Sequence, residues 1–324
     1  MDSKLHICFC LDSNWVTFAM RAIYDIIIRK YPETRIKFYI LLDNFKCDTF
    51  YVFNSIEGIE VVTKTINTVQ EFGLINKVSK SYLGPFKHLK FLIPELDIFK
   101  DVKRVLYLDV DILARRDLTE LYHTDLDGYA LGGIKSYMNM TCDDFITYPE
   151  KYNEIESSVI LMDLPKLRTL HFTDTCKALA LSPICNGDFW IWQAACKNMI
   201  KLLDPKVEIP YHILSVGNDA LNNIAYWNLF YGSHYKSVAD LILRSYLWHF
   251  NGDKEKMYTD FKSVKCCFDV SRQRLQDFIK FGTVMPWTPE DDYIFYSQRG
   301  MFEKKEEQAN ENKTETVDAE PVLE

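Results

Sequence analysis

Several common signatures are missing from this chain of 324 residues. No G-x-G-x-x-G follows a strand-like run, which excludes the dinucleotide fingerprint and with it a nicotinamide oxidoreductase. No G-x-x-x-x-G-K-S/T occurs, so the phosphate loop of ATPases is absent as well. Basic charge is in deficit, with 38 Lys and Arg against 46 Asp and Glu and a net charge of −8. That argues against nucleic acid as a partner. An anionic ligand would need local cations or a metal. The nine cysteines form no C-x-x-C; only Cys266 and Cys267 are adjacent. With no signal peptide at "MDSKLHICFC", they read as reduced thiols, and a cytoplasmic location is expected. The N-x-T sequences at Asn139 and Asn312 would then stay bare. No apolar window reaches transmembrane length, and "AIYDIII" is short and carries an aspartate. Internal repeats are absent.

What is present suits a large core. Apolar residues make up 48% of the chain, with 21 Phe, 19 Tyr and 6 Trp. The length fits one large α/β unit or two lobes. "KLHICFCLD" predicts a buried first strand over about 4–11. "SNWVTFAMRAIYDIIIRKYP" predicts a helix capped by Ser13 or Asn14, with Pro32 beyond its end. "RIKFYILLD" and the short "IEVV" predict further strands. "FKHLKFLIPELDIF" reads as helical with an interruption at Pro94, leading into the strand "RVLYLDVD". "YALGGI" and "SSVILMDL" are strand candidates. "LPKLRTLHFTDTCKALAL" and "GDFWIWQAACKNMI" read as helices, "YLWHFNGDK" as a strand entering a turn, and "SRQRLQDFIKFG" as a closing helix. The alternation points to a mainly parallel sheet with helices on both faces.

One pattern on that sheet carries chemistry. Asp109 and Asp111 stand two apart, so a strand continuing through "LDVD" would aim both carboxylates one way. Open α/β sheets bind ligands at the carboxyl edge. Two crowded carboxylates repel and raise each other's pKa unless a cation joins them. Oxygen ligands favour Mg2+, Mn2+ or Ca2+. The plainer alternative is a solvated pair facing Arg115 and Arg116.

Five segments in order tip the balance. "HICFCLDSNWVTFAMRAIYDI", "RVLYLDVDILARRDLTELYHTDL", "SSVILMDL", "NGDFW" and "WHFNGDKEK" together resemble glycosyltransferase family 8 over roughly residues 5–260. The resemblance implies a GT-A type α/β fold: a Rossmann-like, mainly parallel central sheet flanked by helices, with a small antiparallel element on the acceptor side. It implies one catalytic domain over 1–282, with a nucleotide-binding half over about 1–118 and an acceptor half over about 119–282. An extension over 283–302 and a disordered acidic tail over 303–324 would follow.

It also implies roles. Asp109, Asp111 and His249 would bind the metal, Mn2+ ahead of Mg2+ because imidazole joins the oxygens. Cys10, Asp12, Asn14, Trp15 and Val110 would contact the nucleotide, although Asp12 and Asn14 could equally cap a helix. Gly252 would approach the diphosphate; Glu255 replaces the family lysine, leaving Lys254 and Lys256 to supply its charge. Lys90 would contact sugar or phosphate, with His88 a weaker contact. At the reacting centre Glu156 replaces an asparagine and Phe189 a glutamine, while Asp188 is kept. Glu156 and Asp188 are therefore the carboxylates available to a retaining transfer, with a helix cap the alternative for Asp188 and a surface ion pair that for Glu156.

The implied activity is metal-dependent, retaining transfer of a hexose from a UDP-sugar, glucose or galactose favoured, to a glycan or protein hydroxyl. Two alternatives stand beside it: a glycogenin-like self-glucosylating primer, and a non-catalytic nucleotide-sugar binder. A homodimer stays open. Membrane association is not favoured, because "VMPWTPEDDYIFYSQRGMF" is acidic and anionic lipid would repel it.

Overall fold

The computed structural model describes residues 4–73, 85–136, 155–182, 188–196, 198–210, 224–250 and 262–288. Strands β1 (Lys4–Leu11), β2 (Arg35–Asp43) and β4 (Arg104–Leu108) are runs in which most side chains are buried. Strands covered on both faces need such continuous apolar runs. β3 (Ile59–Ile66) is longer than the four residues of "IEVV", because it pairs with β2 from Ile36↔Ile59 to Asp43↔Ile66. β5 (Ile112–Ala114), β6 (Leu131–Gly133), β7 (Val159–Asp163), β8 (Ile200–Leu202), β9 (Glu208–Pro210) and β10 (Leu247–His249) are shorter.

The main sheet has the order β3-β2-β1-β4-β7-β6-β8. β7 runs antiparallel to both β4 and β6, and the remaining neighbours are parallel. The expected mainly parallel sheet is therefore present. The second sheet, β5-β10-β9, is mixed rather than antiparallel: β10 opposes β5 but runs with β9.

Three local readings change. The strand expected through Asp111 stops at Leu108, where pairing with β7 ends at Leu108↔Val159. Asp109, Val110 and Asp111 form a bend, and the chain re-enters as β5 in the other sheet. The helix expected from Pro165 onward is two helices, Leu164–Thr169 and Phe172–Ala180. His171 between them sits in the left-handed region at φ 51°, which ends a right-handed helix. The stretch Pro85–Glu95 is a 3-10 helix. Three residues per turn place Lys87 and Lys90 one above the other.

Aromatic packing then sets the site. Trp192, on the helix Asp188–Ala195, packs on Phe91 and Phe172 with ring centroids 4.9 and 5.3 Å apart. This holds the start of that helix over the 3-10 segment. The helix Val16–Arg29 is buried from Phe18 to Arg29 and packs against the C-terminal helix Lys262–Phe281, with Tyr24 5.6 Å from Phe278. Gly282, at φ 71°, ends that helix, its N–H 2.7 Å from the Phe278 carbonyl. No helix among the described residues is long and apolar enough to cross a membrane.

Candidate active site at the carboxyl edge of the sheet

The bend after β4 and the end of β10 meet because β5 and β10 pair in the register His249↔Ile112. The Phe250 N–H then donates to the Asp111 carbonyl at 3.0 Å. Asp109, Asp111 and His249 each turn a ligand atom into one space, all within 4.8 Å of one another. A bend between two sheets gathers the carboxylates, not the expected shared strand face. Arg115 stacks over the Trp248 ring at 4.4 Å, and Arg116 donates to the Leu243 carbonyl.

Electrostatics make this space cation-seeking. Burial raises the Asp109 carboxyl to about 6; Lys90 opposes the rise and Asp111 adds to it. Burial works against charge on His249, but Asp111 and Glu208 outweigh it and hold the imidazole well above its ordinary value. Two carboxylate oxygens and one imidazole nitrogen form a donor set that suits Mn2+ or Mg2+.

Two residues behind the triad escaped the motif reading. His249 Nδ1 lies 2.6 Å from Glu208 Oε1, in contact but out of line for a hydrogen bond. Glu208 Oε2 accepts from the Ser158 hydroxyl at 2.7 Å. The Ser158 carbonyl also accepts the Asp109 N–H at 2.8 Å. Nothing local marks Glu208; only the pairing of β9 with β10 brings it to His249.

Beside the triad lies a second cluster. Lys90 Nζ is 2.5 Å from Asp188 Oδ2 and 3.2 Å from the Ser157 carbonyl, and sits 5.1 Å from the Tyr107 ring centre. The Ser157 hydroxyl donates to the same Asp188 oxygen at 2.9 Å. Burial disfavours both charges, yet each partner stabilises the other: Asp188 falls well below the usual carboxylate range and Lys90 rises above its own. Asp188 keeps 20% of its side chain exposed, so one face stays available to a ligand. Tyr107 donates to Asp109 Oδ1 at 2.5 Å, linking the two clusters. Lys87 is a further cation here, lowered chiefly by burial, with Asp188 opposing. Its spacing of three from Lys90 was visible, and such a spacing shares a face in a helix of either kind.

The other expected residues are placed as follows. Asp12 caps the 3-10 turn Ser13–Trp15 by accepting the Asn14 N–H at 2.8 Å, so the cap is Asp12 rather than Ser13 or Asn14. Cys10 is buried at the end of β1, Val110 is buried, and Trp15 packs edge-on against Phe18 at 5.2 Å. His88 bonds the Pro85 carbonyl and lies between Phe72 and Phe91, where burial and Lys87 lower it to about 4. Glu156 is buried and accepts the Ser136 hydroxyl at 2.7 Å. Gly252, Lys254, Lys256, Asn139, Asn312 and the acidic tail lie outside the described residues, as does the side chain of Phe189.

The family model for glycosyl transferase family 8 matches residues 6–257, and the chain belongs to that family. It is 26% identical over 207 residues to glycosyltransferase GlyB of Streptococcus pneumoniae serotype 4, covering 60% of this chain and 41% of that protein. It is 28% identical over 141 residues to GlyF of the same organism, covering 42% of this chain and 31% of that one. The chain thus spans less than half the length of these curated relatives. The structure of galactosyltransferase LgtC with donor and acceptor sugar analogues superimposes with a TM-score of 0.61 at 16% identity. That match covers 90% of this chain and all of the other, and establishes the shared fold.

Proposed function

Taking membership of glycosyl transferase family 8 as the premise, we propose that this protein is a metal-dependent, retaining glycosyltransferase. It moves a hexose from a UDP-sugar, UDP-glucose or UDP-galactose favoured, to a hydroxyl of a glycan or protein. The observation that carries this is the convergence of Asp109, Asp111 and His249 within 4.8 Å, beside the Lys90–Asp188 pair. A divalent ion held by the triad, Mn2+ favoured by the imidazole, would supply Lewis acidity to the leaving diphosphate.

The chain's own residues would do the rest. Cys10, Asp12 and Val110 bound the nucleotide end. Lys90 and Ser157 hold Asp188 ionised, its exposed face turned to where positive charge develops at the anomeric carbon. Lys87 adds a cation for the donor's anionic groups. Gly252, Lys254 and Lys256 supply the remaining phosphate contacts.

A donor screen that reads UDP release with Mn2+ tests the proposal. One UDP-hexose should be turned over, and Asp109→Asn or Asp111→Asn should cut the rate by at least ~100-fold, the scale of losing electrostatic stabilisation at a leaving group. Unchanged turnover in both variants overturns it. Intact-mass spectrometry of the product mixture identifies the acceptor class, because added hexoses on the chain itself mark a self-glycosylating primer.

A further inference from the structure

Glu208 is 1% exposed and stands on β9, outside the five segments that carry the family resemblance. A carboxylate buried so completely needs partners to offset its lost hydration. It has two. One oxygen takes the hydroxyl of Ser158, itself 1% exposed, at 2.7 Å. The other faces His249 Nδ1 at 2.6 Å, while Nε2 of the same ring looks the opposite way, 3.4 Å from Asp111. Glu208 thus stands against the back of the ring, a small rotation away from accepting the Nδ1–H, and Nε2 faces the space that Asp109 and Asp111 share. Ser158 also holds Asp109 from the rear through its carbonyl at 2.8 Å. One residue of the chain thus braces two of the three ligands, one through the backbone and one through Glu208.

We propose that Glu208 is a positioning residue for the metal, with Ser158 as its peg. Glu208 fixes the His249 ring and keeps the proton on Nδ1, so that Nε2 is the donor nitrogen. This rests on the reading of Asp109, Asp111 and His249 as metal ligands. Without Glu208 the ring can turn, and either nitrogen can carry the proton.

The test titrates Mn2+ into the full chain with UDP present, counting free aqueous Mn2+ by electron paramagnetic resonance. Cobalt(II) absorption at saturation reports the ligand field in parallel. Glu208→Gln keeps the size and removes the charge. It should weaken Mn2+ binding by ~10–100-fold, the usual loss when a residue supporting a metal ligand is changed. It should also shift the cobalt bands while leaving the metal-free melting temperature near that of the wild type. Ser158→Ala should weaken binding in the same direction by a smaller factor, and it decides the matter if Glu208→Gln fails to fold. Wild-type affinity and cobalt bands in the folded variants, with Asp111→Asn losing the metal, would falsify the positioning role and leave the metal site standing. Undiminished Mn2+ binding in Asp111→Asn overturns the metal reading itself, and this proposal with it.

Discussion

The protein buries two charged clusters, and they differ in which charge is in excess. In the helix Val16–Arg29, Asp25 is fully buried between Arg21 at 2.8 Å and Arg29 at 3.0 Å, one turn away on either side. Ser271 of the C-terminal helix donates to the same carboxylate, and Arg29 lies over the Trp287 ring at 3.8 Å. This cluster brings its own cations and bolts the C-terminal helix to the domain. The second cluster gathers Asp109, Asp111 and Glu208 around one imidazole, while the nearest lysine is engaged by Asp188. Acid is in excess there. An acid that already has cations beside it needs no ligand; a cluster with acid in excess suits a ligand that supplies positive charge. Arg21 touches both, donating at 2.5 Å to the carbonyl of Ile112, next to Asp111.

Removing the acid from each cluster should separate the two kinds. Asp25→Ala leaves two buried arginines without their carboxylate and should cost about 3–5 kcal/mol of stability in urea unfolding. A cost under about 1 kcal/mol would place Asp25 among surface-like pairs and break the comparison. Asp111→Asn relieves crowding against Asp109 but also removes a partner of His249, so the metal-free protein should lose far less stability than Asp25→Ala does. What it should lose is the gain from Mn2+, which at a hundredfold excess over Kd is about 2.7 kcal/mol in the wild type. Thermal melts with and without Mn2+ read this directly, and an undiminished Mn2+ shift in the variant contradicts an acid-rich site awaiting a cation.

The smallest expected effect concerns the Lys90–Asp188 pair between the clusters. The folded value of Asp188 is held well below its ordinary 3.8, chiefly by Lys90 against the opposing effect of burial. Its contribution is therefore fully present above pH 3.8 and is lost as pH falls through the lower, folded value. The wild type should exceed Asp188→Asn by about 1.5–3 kcal/mol near pH 7, the scale of a hydrogen bond to a charged group. The gap should close as the solution is acidified below pH 4. A pH-independent gap would mean that the carboxylate's charge contributes nothing.

The aspartate in "AIYDIII" was visible from the start as an oddity in an apolar run. Its partners Arg21 and Arg29 were visible too, four residues either way, yet their burial depends on the C-terminal helix some 245 residues later, where Ser271 stands. Asp109 and Asp111 were legible because their spacing, their apolar flanks and the order of four other segments recur in a family. His249 was legible only through that order. Lys87 and Lys90 are three apart, a spacing that shares a face in α- and 3-10 helices alike, but nothing local shows that this face turns to Asp188.

Sequence alone determined the buried strands β1, β2 and β4, the acid pair and the family, since the strands and the acid pair are written in contiguous residues and the family in the order of five such segments. Tertiary structure alone decided that β4 stops at Leu108, that a bend rather than a strand face gathers the carboxylates, and that Ser158 and Glu208 stand behind Asp109 and His249. The physical reason is that strand ends and buried partners are set by pairing across the sheet. Ser158 and Glu208 lie 50 positions apart in the chain and meet only when β7 and β9 take their places.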